Sequence, residues 1–275
     1  ALSSAASDVY KRQLYLNIYT GGLVFLFFYN IATGIFASLG DSRTPFLFLA
    51  ASSIANIALD VVFVTAFQMG VAGVAWATFL CQGVSCVLAV LALFRALSRM
   101  EADEPPHLFS GRILLNLVKV ALPSTLQQCF VSVGNILIQS IINGFGTSAI
   151  AGYAAAIKFN NFAVTSFNTL GNGMSNFTAQ NLGAMQTVRV REGYKGCLKM
   201  LAGIATLFVL VYVFFGGQVI RLFLNDESSG SLAVGVEFLL IVSPFYYAVA
   251  LKLATDGVLR GASRMTEFMT DTFVD

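Results

Sequence analysis

Two runs of polar side chains recur at helical spacing within otherwise apolar stretches, and their types and spacing point to solute binding rather than bond making. Ser124, Gln128, Ser132, Asn135, Gln139 and Asn143 are separated by 4, 4, 3, 4 and 4 residues, which puts all six on one helix face. Lys158, Asn161, Thr165, Asn168, Asn172 and Ser175 do the same on the next predicted helix. Rows of amides and hydroxyls suit small organic molecules held by hydrogen bonds in a water-filled cavity. The plainer reading is hydrogen bonding between helices, a common use of Asn, Gln and Ser in membranes. Two stripes of six favour the cavity, with Gln128, Ser132, Asn135, Gln139, Asn161, Thr165, Asn168 and Asn172 as its lining.

Charged groups at membrane depth are costly and therefore informative. They are Asp60, Lys119, Lys158, Glu237, Lys252 and Asp256. Lys119 and Glu237 lie near the ends of predicted spans and can snorkel to water. Lys252 and Asp256 are one helical turn apart, so they either neutralise each other or form a titratable pair that carries protons or answers to a cation. Lys158 has no carboxylate near it in sequence and calls for a partner from another helix. Asp60 follows Asn56 by one turn, where a capping or an ion role is open. Asp256, Lys252, Lys158 and Asp60 are the ion-coupling candidates. Pro244 should kink its helix and free a carbonyl, and Gly70 to Thr78 is rich in small residues that permit close helix approach.

Other chemistry is poorly supplied. The single histidine, His107, stands in a polar loop beside Pro105 and Pro106. The four cysteines, Cys81, Cys86, Cys129 and Cys197, form no CxxC pair and read as buried free thiols. No phosphate-binding GxxxxGK[ST] loop is present, and no basic patch interleaved with aromatics suggests nucleic acid. Neither an enzymatic function nor a cofactor is expected.

The elements that position these residues are apolar helices. The chain is 57% hydrophobic and 11% charged, against roughly a quarter charged in soluble domains. Lipid leaves a spanning backbone only the helix or the closed barrel, and the alternating barrel pattern is absent. Seven complete spans are expected at roughly 13–39, 45–68, 71–97, 112–143, 147–180, 196–220 and 232–260, with an eighth beginning near Thr266. Alternate loops divide the basic residues unevenly. Arg43, Arg95, Arg99, Arg112, Arg189, Arg191, Lys195, Lys199, Arg260 and Arg264 fall on one side, and Lys11, Arg12 and Arg221 on the other. The positive-inside rule makes the first side cytoplasmic, which covers the loops near 40–45, 95–112, 182–199 and 260–266.

The loop Gly40-Asp41-Ser42-Arg43 returns as Gly261-Ala262-Ser263-Arg264 on the same predicted side, six helices later. Repeats of six helices run in the same direction and would need about twelve helices for two copies. A start at Ala1 without an initiator Met or signal pattern agrees with a fragment. The polar segment 99–111 reads as the linker between a region 1–98 with three spans and a region 112–275 with four spans and part of another.

Together these residues resemble the multidrug and toxic compound extrusion (MATE) family of secondary exporters. Phe28-Tyr29-Asn30 through Gly40-Asp41-Ser42-Arg43-Thr44-Pro45, then Asn56 and Asp60, look like its fourth and fifth helices, and Met69 to Thr78 like the start of its sixth. Ala121-Leu122-Pro123-Ser124 opens a segment similar to the seventh. Gln180-Asn181-Leu182-Gly183-Ala184 and Gly257-Val258-Leu259-Arg260-Gly261 close segments similar to the eighth and tenth. The resemblance implies an all-α membrane protein, a polytopic bundle of twelve helices in two lobes around a central cavity, of which this chain would hold about helices four to ten. It implies export of organic, often cationic, compounds in exchange for H+ or Na+ by alternating access, at the plasma membrane, with the missing helices of the full-length chain as partners. Some members carry an acidic residue within the seventh helix; the corresponding span here has none, so that ion site is not carried over. The alternatives are a lipid-linked saccharide flippase of the same superfamily, which would favour an Arg- and Lys-rich cavity, and a seven-helix retinal receptor with Lys252 as the Schiff-base lysine.

Overall fold

Every secondary element of the computed structural model, which describes residues 2–100, 109–224 and 229–274, is helical. The chain divides into two compact units, residues 1–107 and 108–275. The first holds α1 (Leu2–Ser38), α2 (Arg43–Thr65) and α3 (Gly70–Leu97). The second holds α4 (Gly111–Ile142), α5 (Thr147–Gly183), α6 (Thr187–Arg221), α7 (Ser229–Val242), α8 (Tyr246–Gly261) and α9 (Met265–Val274). Among the described residues, six stretches are long and apolar enough to cross a membrane: α1 from Arg12, α2, α3, α4 with its following turn, α6, and α7–α8 together. His107 and most of the expected linker lie outside the described residues.

The helix expected at 147–180 is α5, which at 37 residues is among the longest. It is too polar to stand among the six, because Asn160, Asn161, Asn168, Asn172 and Asn176 interrupt its apolar pattern. α5 is instead the hub of the second unit, in contact with α6, α7 and α8. Phe167 on α5, Tyr212 on α6 and Tyr246 on α8 are each almost wholly buried there. Their rings meet edge to face, 5.6 Å apart for Phe167 and Tyr246 and 6.0 Å for Tyr212 and Tyr246. Such pairs add about 0.5–1.5 kcal/mol beyond burial. Both tyrosine hydroxyls find acceptors on α5: Tyr246 donates to Asn160 Oδ1 at 3.0 Å and Tyr212 to the Phe159 carbonyl at 3.0 Å.

Backbone contact between α5 and α8 depends on two glycines. A Cβ on Gly257 would stand 2.3 Å from the Gly171 carbonyl oxygen, and one on Gly261 would stand 2.3 Å from that of Ser175. In the first unit α3 is central, packed by α1 and α2. Its small segment behaves as expected: Ala75 and Ala77 are buried, and a Cβ on Gly73 would reach 3.0 Å from that of Phe63 on α2. Pro244 lies in a 3-10 turn, Ser243–Phe245, that separates α7 from α8, so the expected kink is a full break in the α-helical ladder.

Helix exits share one device. After α1, Gly40 has φ 81°, its N–H bonds the Ala37 carbonyl, and the Asp41 N–H bonds that of Phe36, a Schellman motif. After α8 the same pair of bonds runs from Ser263 to Arg260 and from Arg264 to Leu259, with Ser263 at φ 57°. The caps therefore align Gly40 with Ser263, not with Gly261. The Gly-x-Ser-Arg match is out of register with the backbone by two residues, and Gly261 serves close packing, a different role from that of Gly40. Asp41 then starts α2. Its carboxylate accepts the Thr44 hydroxyl at 2.6 Å and the N–H groups of Thr44 and Arg43 at 3.1 and 3.0 Å. These bonds, the Thr44 hydroxyl first, hold the Asp41 carboxyl below its ordinary range.

Candidate functional site

The helical period that buries Ala156, Ala163, Phe167, Gly171, Met174 and Thr178 against the core sends the other face of α5 outward. That open face carries Lys158, Asn161, Thr165, Asn168 and Asn172, all exposed. The stripe is thus not used to tie α5 to the helices that pack on it. The amide that does so is its neighbour Asn160, through Tyr246. Lys158 has found its partner on another helix end: its Nζ lies 4.7 Å from the centroid of the Phe223 ring, just beyond α6, a cation–π contact.

The α4 stripe is equally open. Gln128, Ser132, Asn135 and Gln139 are exposed, and no residue of α4 is buried. Ser132 donates to the Gln128 carbonyl, and Gln139 donates to Asn143 at 3.0 Å, so these bonds stay within the helix and its end. A 3-10 turn at Asn143–Phe145 joins α4 to α5, but beyond it the two helices touch only sparsely. The two stripes are therefore both presented, yet they do not close a pocket on each other. Cys129 beside this stripe is exposed, unlike Cys81, Cys86 and Cys197, which are buried thiols. The expectation of four buried cysteines fails at Cys129 because α4 has no covering helix at that position.

The charged pair on α8 is arranged differently from its spacing. Lys252 reaches forward to α9, with Nζ 3.6 Å from Asp271 Oδ2. Asp256 is 1% exposed; its Oδ2 accepts a bond from Gln127 Nε2 on α4 at 3.4 Å. The Asp271 carboxyl lies within hydrogen-bonding reach of that of Asp256. Asp256 Oδ1 and Asp271 Oδ2 are both buried oxygens without a hydrogen-bond donor. Two carboxylates cannot bond each other unless one holds a proton or a cation lies between them. Lys252 is not the only cation beside the pair, since Arg260 Nε donates to the Asp256 main-chain carbonyl at 3.4 Å. Asp256 and Lys252 were legible in the sequence. Gln127 and Asp271 were not, since Gln127 is one residue off the polar stripe and Asp271 stands on a separate short helix.

A second polar cluster lies in the first unit, between α2 and α3. Ser52, Asn56 and Asp60 occupy successive turns of α2. Ser52 donates to the Cys81 carbonyl at 3.2 Å, and Asn56 Nδ2 approaches Thr78 Oγ1 at 3.5 Å. Asp60 Oδ1 is buried and has no hydrogen-bond partner. α2 continues past it to Thr65, so a capping role for Asp60 is excluded. Thr78 and Cys81, which the sequence offered only as packing residues, complete this cluster.

Comparison with known proteins places the chain in context. A family model described as MatE matches residues 123–274. The "Probable multidrug resistance protein YpnP" of Bacillus subtilis is 26% identical over 268 residues, covering 98% of this chain and 59% of that protein. The "Multidrug export protein MepA" of Staphylococcus saprophyticus is 22% identical over 227 residues, covering 82% and 49%. A solved structure described as an outward-facing conformation of a multidrug resistance MATE family transporter of the MOP superfamily superposes with a TM-score of 0.82 at 22% identity, covering 94% of this chain and 58% of that one. At that identity the likeness speaks for the fold. The chain spans about half to three fifths of the length of these relatives.

Proposed function

From the premise that this chain belongs to the MatE family, whose members are transporters and not enzymes, we propose that it serves in a secondary active antiporter that exports drugs or other organic, often cationic, compounds in exchange for H+ or Na+. The observation that carries this reading is the open face of α5. Lys158, Asn161, Thr165, Asn168 and Asn172 form a continuous polar row on a helix whose opposite face is fully packed. Lys158 meets the Phe223 ring, but the amides and hydroxyl of Asn161, Thr165, Asn168 and Asn172 face away from the helices packed on α5, which suits a hydrated substrate path. The α4 row of Gln128, Ser132, Asn135 and Gln139 supplies a second lining of the same chemistry. Few charges and many amides favour an organic solute over a phosphate-bearing lipid carrier.

Coupling is assigned to the buried carboxyls. The carboxyls of Asp256 and Asp271, each with a buried oxygen that lacks a donor, are the acceptors for one proton or cation, and with Gln127 the cluster bridges α4, α8 and α9. Asp60, with Asn56 and Thr78, is the corresponding candidate in the first unit. A coupling ion must favour one conformation through its own differential affinity. A site that joins three helices by hydrogen bonds responds to occupancy in the way such a bias requires. Regions 1–98 and 112–275 serve as the two lobes of an alternating-access cycle, and the loops near 40–45, 95–112, 182–199 and 260–266 face the cytoplasm from the plasma membrane.

The test is efflux of a cationic dye from cells expressing the full chain, paired with transport in liposomes under imposed pH or sodium gradients. Asn168→Ala should weaken dye export about fivefold, the effect of one hydrogen bond, without altering ion dependence. Asp256→Asn should lower the enhancement given by the ion gradient by about 5- to 150-fold, the range of an ordinary linkage. Wild-type efflux and ion dependence in Asn168→Ala, Lys158→Gln and Asp256→Asn alike would sink the assignment.

A further inference from the structure

We propose that a crevice between α5, α6 and α8 binds an anionic phospholipid from the leaflet that the 184–186 and 262–264 turns face. The crevice has a volume of 440 Å3 and is walled by Thr178, Leu182, Val190, Tyr194, Val258 and Leu259, within the roughly 300–1,000 Å3 usual for ligand pockets. The Tyr194 hydroxyl and Thr255 Oγ1, 2.9 Å apart, bridge α6 to α8 across it. Its walls are apolar, and it opens at the ends of the three helices rather than at mid-membrane.

The mouth has the opposite character. α6 begins at Thr187, well before its apolar span near 196, and this extension is amphipathic. Val190, Cys197 and Leu201 point into the core and are buried, while Arg189, Arg191, Lys195 and Lys199 are exposed. Such a segment lies at the level of the headgroups. Arg191 also lines the crevice, and Lys195 follows one turn later. Across 187–199 and 260–267 the basic residues are Arg189, Arg191, Lys195, Lys199, Arg260 and Arg264, against Glu192 and Glu267. Glu267 is already engaged by Arg264 at 3.1 Å, and Glu192 offsets one of the four charges Arg189, Arg191, Lys195 and Lys199, which leaves the α6 edge cationic.

An apolar slot beneath a cationic rim fits an amphiphile with an acyl chain and a negative headgroup. Inorganic phosphate would leave the slot unfilled, and a zwitterionic lipid would leave the excess charge uncompensated. The crevice shares no side chain with the open rows of α4 and α5. It therefore stands or falls apart from the transport assignment, resting only on the chain's residence in a bilayer.

Native mass spectrometry of the full chain in detergent, titrated with phosphatidylglycerol, phosphatidylcholine or inorganic phosphate, tests the site. Phosphatidylglycerol should bind in preference to phosphatidylcholine, and inorganic phosphate should neither bind nor compete. Arg191→Gln and Lys195→Gln, both at exposed positions, should each weaken phosphatidylglycerol binding about fivefold, as expected for one basic side chain at an anionic surface. Val258→Trp should reduce occupancy of both lipids by filling the slot, while Arg95→Gln in the first unit should change nothing. Equal binding of the two lipids, competition by inorganic phosphate, or undiminished binding in the Arg191→Gln/Lys195→Gln double variant would overturn the proposal.

Discussion

Asp256 and Asp271 are informative because they fail to satisfy each other. Each has a buried oxygen with no donor; Lys252 stands 3.6 Å from Asp271 Oδ2, and Arg260 Nε donates to the Asp256 main-chain carbonyl at 3.4 Å. Carboxyls this close share any proton or cation that they take up. The expected signature is non-additivity. Asp256→Asn and Asp271→Asn should each remove the pH or sodium dependence of efflux, and the double variant should be no worse than either single one. Ion dependence that falls in two independent steps would refute a shared site. The sequence pointed to half of this cluster, since Lys252 and Asp256 are visible as an i, i+4 pair. It misassigned the lysine's carboxylate because the packing of α9 on α8, which brings Asp271 up, leaves no trace in local spacing.

At the scale of the element, the ends of helices were legible and their reasons were not. Gly40 and Gly70 signal turns by type, and both adopt positive φ. Gln68, Met185 and Ser263 adopt the same left-handed conformation without being glycine, so no residue-type signal could mark them. A side chain in that conformation carries strain of about 1–2 kcal/mol. Met185 is 88% exposed, so Met185→Gly loses no packing and should stabilise the protein by about 0.5–1 kcal/mol once the greater freedom of glycine in the unfolded chain is set against the relief. Gly257 is the reverse case. Gly257→Ala puts a methyl 2.3 Å from the Gly171 carbonyl oxygen, and overpacking against backbone costs about 1–3 kcal/mol or more. Thermal melting in detergent should separate the two variants in opposite directions. The Gly-rich segment at 70–78 was the visible sign of close packing, yet the tightest approaches to backbone atoms fall between α5 and α8, where single glycines meet from distant parts of the chain.

For the whole molecule, the issue is what lies against the open polar face of α5. Lipid there would leave the four uncharged side chains Asn161, Thr165, Asn168 and Asn172 in hydrocarbon, each at a cost of about 1–3 kcal/mol without a partner. Water in a substrate path removes that cost. The periodicity of the stripe was readable in the sequence, but its orientation was not. Only the burial of Ala163, Phe167, Gly171 and Met174 on the other side fixes which way it points. Cysteine accessibility distinguishes the two surroundings. Cys129 is exposed and must first be replaced by serine, while Cys81, Cys86 and Cys197 are buried and should remain silent. In that background Asn168→Cys and Asn172→Cys should react with a charged, membrane-impermeant thiol reagent in cells, because a reactive thiolate requires water. Phe214→Cys on α6, at a position 67% exposed beside exposed Leu210 and Val213, should react slowly or not at all. If α5 lines an alternating path, the transported dye should also protect Asn168→Cys, since substrate and reagent would compete for one space. Reaction at Phe214→Cys as fast as at Asn168→Cys, or no effect of the dye, would mean that the row is merely solvated surface and that the substrate path runs elsewhere.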